Sequence, residues 1–198
     1  MPEARSLDAK CGKNFQFRDF VECGETFQAL RPDNVPKSAK TYGALERLAK
    51  EVLDPVIDRF GPIQLTYGLS CGPLSRCIKS RTSPHLDQHA SYEKNTRGKQ
   101  ICTRGGAAVD FLCLNECSLD VAQWITKNCK FDRLYFYGAT RPVHVSSGPE
   151  NNLLVVLMRR TYKKNQLIPR NISIAEFFTL KSDDNLIQEC GYAEGSNL

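Results

Sequence analysis

The chain has 198 residues and a mass of 22.3 kDa, with 27 Lys and Arg against 22 Asp and Glu for a formal charge of +5. Hydrophobic residues make up 41% and charged residues 25%, enough apolar material for one packed core. Collagen-like, mucin-like, coiled-coil and wholly disordered chains are excluded. The longest apolar run, Leu153 to Met158, is strand-sized and far short of a membrane span, so no membrane partner is expected. The N-terminal segment has basic residues but no apolar stretch after them, so the expected setting is cytoplasmic.

Residues 1–13 read as a loose lead-in, 14–150 as the main domain and 151–198 as an extension packed on it. Phe15, Phe17, Phe20 and Val21 form a short amphipathic element, and Pro32, Asn34 and Pro36 mark the following segment, 24–37, as loop. From Ala39 to Arg59 apolar residues recur at three- and four-residue steps (Tyr42, Leu45, Leu48, Ala49, Val52, Val56, Ile57). This spacing predicts a long helix with one buried stripe, stopped by Gly61-Pro62 and kinked or shortened at Pro55.

Ile63 to Tyr67 alternates as a strand, and a short helix is expected over Pro73 to Lys79. A polar stretch from Ser80 to Gly105 follows, too long for an ordinary connection and therefore a candidate functional loop. Ala107 to Leu114 reads as a buried strand with one anomaly, Asp110, a carboxylate that requires a partner or a metal there. Leu119 to Asn128 reads as a helix capped by Ser118 or Asp120; Arg133–Tyr137, Pro142–Ser146 and Leu153–Met158 read as strands. Ile174–Leu180 is a short helix or edge element, and the last dozen residues read as frayed.

Nine cysteines, an odd number at irregular spacings, argue for reduced, buried thiols rather than a disulfide framework. No C-x-x-C occurs, and Cys113-x-x-x-Cys117 alone is a weak thiolate zinc signal. The densest basic patch, Arg159-Arg160-Thr-Tyr-Lys163-Lys164, reads as a solvated turn before it reads as a phosphate- or nucleic-acid-binding surface.

There are three histidines, His85 and His89 in the long polar loop and His144 on a later strand. If that strand neighbours the one carrying Asp110, a loop histidine completes a His/Asp/His set. Two imidazole nitrogens and one carboxylate oxygen suit zinc, with a fourth position left open for water. Three unrelated histidines are the plain alternative.

Several segments resemble, in order, the zinc D-alanyl-D-alanine carboxypeptidase family and its hedgehog-like fold. Asn14-Phe15 with Asp19-Phe20 is similar to its N-F-x-x-x-E-F opening, and Asn34-Val-Pro36 to its N-x-P. Leu45, Leu48, Ala49, Leu53 and Pro55 match its L-x-x-L-A-x-x-x-L-x-P helix. Ile63 to Gly68 is similar to the strand ending in T-S-G-Y-R, Gly106-Ala-Ala-Val-Asp110 to G-x-A-x-D, and Phe131 to Ser146 to F-D-Q-L-I through W-V-H-I-S.

The resemblance implies an α+β, hedgehog/DD-peptidase-like domain, a central antiparallel sheet with helices mainly on one face. It implies Asp110 and His144 as zinc ligands. The family's first histidine would fall on Thr103, so an inserted loop supplies it from His89 or from His85, where Ser83-Pro-His85 keeps S-x-H. His89 is favoured because it is nearer Asp110, with Asp87 and Glu93 close by.

Two further positions depart from the family. Its substrate-gripping arginine falls on Ser70, and its general base falls on Arg141. Glu93, or else Glu116 or Asp87, is then the candidate carboxylate. Arg141, or else Arg76 or Arg104, is the candidate cation, biasing the pocket toward an anionic ligand.

Two functions compete. The first is a zinc-dependent hydrolase acting on a small peptide or amide-type bond. The second is a degenerate domain that binds a ligand, a protein or nucleic acid. A phage-type lysin and a cysteine nucleophile rank below both.

Overall fold

A computed structural model of the chain describes residues 5–78, 83–161 and 166–181. Lys79, Lys163, Lys164 and the C-terminal dozen, on which some of the readings above fall, lie outside the described residues. The first helices are α1 (Phe17–Val21), α2 (Glu25–Leu30) and α3 (Ala39–Leu48); α3 runs through a π turn, Ala49–Leu53, into α4 (Asp54–Phe60).

The long helical rod forms as the periodicity predicts, and Pro55 neither breaks nor ends it. Proline has no N–H to donate and its ring crowds the carbonyl four residues back. The preceding turn widens into π geometry, and the stripe Leu45, Leu48, Ala49, Val52, Leu53 and Val56 stays fully buried through it.

Then come β1 (Ile63–Tyr67), α5 (Gly72–Cys77), β2 (Ala107–Cys113), α6 (Ser118–Asn128), β3 (Arg133–Phe136), β4 (Val143–Ser147), β5 (Leu154–Thr161), β6 (Gln166–Ile172) and α7 (Ile174–Phe178). Two of these elements, α2 and β6, were not legible. Helix α2 buries only Phe27, too little for a periodic signal, and β6 carries Pro169 and exposes Leu167 and Ile168, as an edge strand can.

The six strands form one sheet in the order β1-β2-β4-β3-β5-β6, antiparallel throughout except for the parallel β3–β5 pair. Helices α3 and α6 cover one face, meeting β2 and β4. The core lies between them. Val109 and Phe111 from β2, Leu134 and Phe136 from β3 and Val143 and Val145 from β4 pack there with the α3–α4 stripe and with Val121, Ala122 and Ile125 of α6. The fold is thus mixed α+β with an antiparallel-dominated sheet and helices packed to one side.

The N-terminal strap is tied to this core by one carboxylate. Asp54, buried at the start of α4, accepts bonds from the backbone N–H of Lys13 (2.7 Å) and Asn14 (3.1 Å) and from the Asn14 amide (2.9 Å). Asp54→Ala leaves those donors unpaired and is expected to lower the unfolding free energy by about 2–3 kcal/mol, read as a reduced urea midpoint at unchanged m-value.

Candidate metal centre

Side chains along a strand alternate between faces, so burying Val109 and Phe111 against the helices turns Asp110 to the opposite face. Strand pairing then aligns a row across that face: Tyr67 of β1 opposite Asp110, Asp110 opposite His144 of β4, and His144 opposite Tyr135 of β3. Asp110 Oδ1 lies 2.7 Å from His144 Nδ1. A sheet register sets this pair.

The third member arrives from the long polar segment. Residues Gln88–Ala90 form a short 3₁₀ turn laid over the open face, and His89 Nε2 reaches to 3.2 Å from His144 Nδ1 and 3.5 Å from Asp110 Oδ1. Its other nitrogen, Nδ1, lies 2.8 Å from the Gly68 carbonyl, which can only accept. In the neutral ring Nδ1 therefore carries the proton and Nε2 presents its lone pair to the cluster.

Hydrogen bonds hold this turn from both sides. The Gln88 amide donates to the Gly105 carbonyl (3.0 Å) and to Asp132 (2.8 Å), and accepts from Ser146 Oγ (2.8 Å). Ser70 N–H donates to the His89 carbonyl, and His89 N–H donates to Asp87. Asn34 ties the neighbouring loop, donating to the carbonyls of Val21 and Leu69 and accepting from Cys71 N–H.

Two glycines permit the close approach. A Cβ at Gly68 would fall 2.3 Å from the Phe20 carbonyl oxygen, and one at Gly106, where φ is +77°, 2.0 Å from that of Ser147.

The electrostatics match a cation site. Burial opposes a charged Asp110, but the imidazoles of His89 and His144 outweigh it and hold the carboxyl well below the ordinary carboxylate range. Burial likewise opposes a charged His89, but Asp110, Asp87 and the Gly68 carbonyl outweigh it and raise its proton affinity. The ligand atoms of His89, Asp110 and His144 all lie within 4.8 Å of one another, the arrangement needed to coordinate a metal ion.

The cluster forms part of the wall of a cavity of about 800 Å³. Around it stand Phe27, Tyr67, Tyr135 and Tyr137, the carboxylates of Glu25 and Asp87 and, among the described residues, a single Arg or Lys, Arg104. The Tyr67 ring lies 4.2 Å from that of His89, and Tyr135 meets His144 edge-on at 4.9 Å.

The other expected residues lie elsewhere. His85 is exposed on a separate 3₁₀ turn and takes no part in the cluster. Glu93 is buried beside a second cavity; its carboxylate accepts from Lys37 N–H, Ser38 N–H and Thr41 Oγ, at the start of α3, so it is occupied by a helix end rather than by the metal cavity. Arg141 and Glu116 are exposed and line neither cavity, and Arg76 lines the second. The tyrosines were missed as cavity residues. The alternation of Tyr135 with Tyr137 was a signal for them, but only strand pairing brings it beside His144.

The chain is thus a mixed α+β protein with a His-Asp-His cluster capable of holding a metal ion. Among the described residues no helix is long and apolar enough to cross a membrane. Comparison with family models, curated proteins and solved structures finds no match to this chain.

Metal analysis by mass spectrometry is expected to give about one ion per chain for wild type and His85→Ala, and loss of the ion in His89→Ala, Asp110→Ala and His144→Ala. Protons compete for His89, whose affinity for them is raised, so metal affinity should fall at least tenfold from pH 7.5 to 5.5 in a competitive chelator titration. Glu93→Gln should keep the metal and lose about 1–2 kcal/mol of stability in urea.

Proposed function

We propose that this protein is a zinc-dependent hydrolase of hedgehog/DD-peptidase-like fold that acts on a small peptide or another amide-type bond. One observation carries the reading. Three atoms able to bind a metal ion, His89 Nε2, His144 Nδ1 and Asp110 Oδ1, converge at 2.7–3.5 Å on the wall of a cavity large enough for a small substrate. An ion that replaces the shared proton would meet all three at once, and two imidazoles with one carboxylate form a donor set that zinc favours. Zinc held there would polarise a scissile carbonyl and supply a nucleophile at neutral pH.

The chain's own residues then divide the remaining work. Arg104 donates through Nη1 to the Leu86 carbonyl (2.9 Å), which anchors the guanidinium on the cavity wall while its remaining N–H groups stay available for a substrate carboxylate. It takes the part of the arginine that Ser70 cannot play. Asp87, adjacent to the His89 turn and in the same cavity, accepts the proton of the attacking water and passes it to the leaving amine. The Gln88 network keeps His89 in place.

The test is hydrolysis of N-acetyl dipeptides by zinc-loaded protein, followed by mass spectrometry. Cleavage of substrates with a free C-terminal carboxylate in preference to their amides is expected, abolished by chelation and restored by zinc. Asp87→Asn should lower kcat about 100-fold with metal retained, and Arg104→Ala should raise KM about tenfold and erase the preference for the carboxylate. Metal uptake without hydrolysis of any amide would transfer the site to the other reading, a ligand-binding module.

A further inference from the structure

We propose that Tyr137 is a catalytic residue of this site, its phenol donating a hydrogen bond to the scissile carbonyl oxygen as negative charge builds there. The inference rests on the hydrolase reading above and adds to it the donor that the reading lacks. Hydrolysis of an amide puts a full negative charge on the carbonyl oxygen, and a positioned donor at that point is commonly worth two or more orders of magnitude in rate.

Three observations point to Tyr137. It lies just past the end of β3, two residues after Tyr135, whose ring stands edge-on to the imidazole of His144. It lines the cavity with the triad. Among the described residues its hydroxyl has no hydrogen-bond partner, although the side chain is half-buried.

Several other polar groups of the cavity are already committed or of the wrong kind. Gln88 is held by Gly105, Asp132 and Ser146, Gln28 donates to the Glu22 carbonyl, and Arg104 is reserved for a carboxylate. Glu25 and Asp87 are carboxylates, which accept. Burial, with the charges of Asp110, Tyr135 and Asp87, pushes the Tyr137 hydroxyl well above the ordinary range of a phenol, so it keeps its proton and can only donate toward an anion. In the reaction the phenol O–H bond is never broken. The proton of water travels by Asp87 to the leaving nitrogen, the C–N bond breaks, and Tyr137 bonds only to the oxygen.

The experiment uses dimethylphosphinate, a tetrahedral monoanion whose two oxygens resemble those of a hydrated amide carbonyl. Cobalt-loaded protein is titrated with it and the visible band of the metal is followed. Tyr137→Phe is expected to keep one cobalt per chain with an unchanged band in the absence of the anion, and to raise the Kd about 10- to 100-fold. Tyr135→Phe, removing a phenol from the same cavity, should leave the Kd within about twofold.

As a second arm that preserves size and folding, 3-fluorotyrosine at position 137 makes the phenol a stronger donor and should lower the Kd. An equal Kd in wild type and Tyr137→Phe at equal cobalt content, or an unchanged Kd with fluorotyrosine, overturns the assignment while leaving the metal centre intact. Failure of wild type to take up cobalt overturns the centre itself, and this inference with it.

Discussion

The antiparallel register between β2 and β4 is the constraint on which the centre depends. Val109 and Phe111 are fully buried against α3 and α6, and burial of such side chains contributes roughly 1.5–3 kcal/mol each. A slip of one residue would exchange them for Asp110, exposing both and pressing an ionised carboxylate into the core, at a further cost of several kcal/mol. Core packing therefore determines that Asp110 and His144 stand side by side on the open face. The site is enforced from behind, by residues that never touch a ligand.

The loop histidine is enforced differently, by a polar network rather than by apolar burial. Gln88 binds the Gly105 carbonyl, Asp132 and Ser146, while His89 binds the Gly68 carbonyl through its side chain and Ser70 N–H through its carbonyl. These bonds join the loop to β4 and to the segments flanking β1 and β3. A histidine on a segment with so little regular structure is thereby held beside Asp110 and His144 by the fold itself, a preorganisation that would lower the ordering cost of binding an ion there.

The polar groups around the cluster are not those the sequence put first. Arg141 stays at the surface. Arg104 and Asp87, both from the long polar segment, face the cavity instead. Glu93 is the instructive departure. A buried carboxylate close in sequence to His89 has the profile of a base, yet Glu93 is taken up by the entry to α3, accepting from the N–H groups of Lys37 and Ser38 just before the helix and from Thr41 Oγ in its first turn.

Periodicity determined much by itself: the helical rod from Ala39, strands β1 to β5 to within a few residues, the buried face of each, and the oddity of Asp110 among apolar neighbours. The candidate ligand types followed from there being only three histidines in the chain. Short elements with one buried residue, such as α2, or with a proline at a sheet edge, such as β6, carried too weak a local signal. Tertiary structure alone placed His89 rather than His85 in the cluster, kept Glu93 away from the cavity beside it and brought Tyr137 and Arg104 to that cavity's wall. Those outcomes depend on contacts between residues far apart in the chain, Gly68 with His89 and Tyr135 with His144 among them, and no local pattern encodes which distant partner a loop residue will meet.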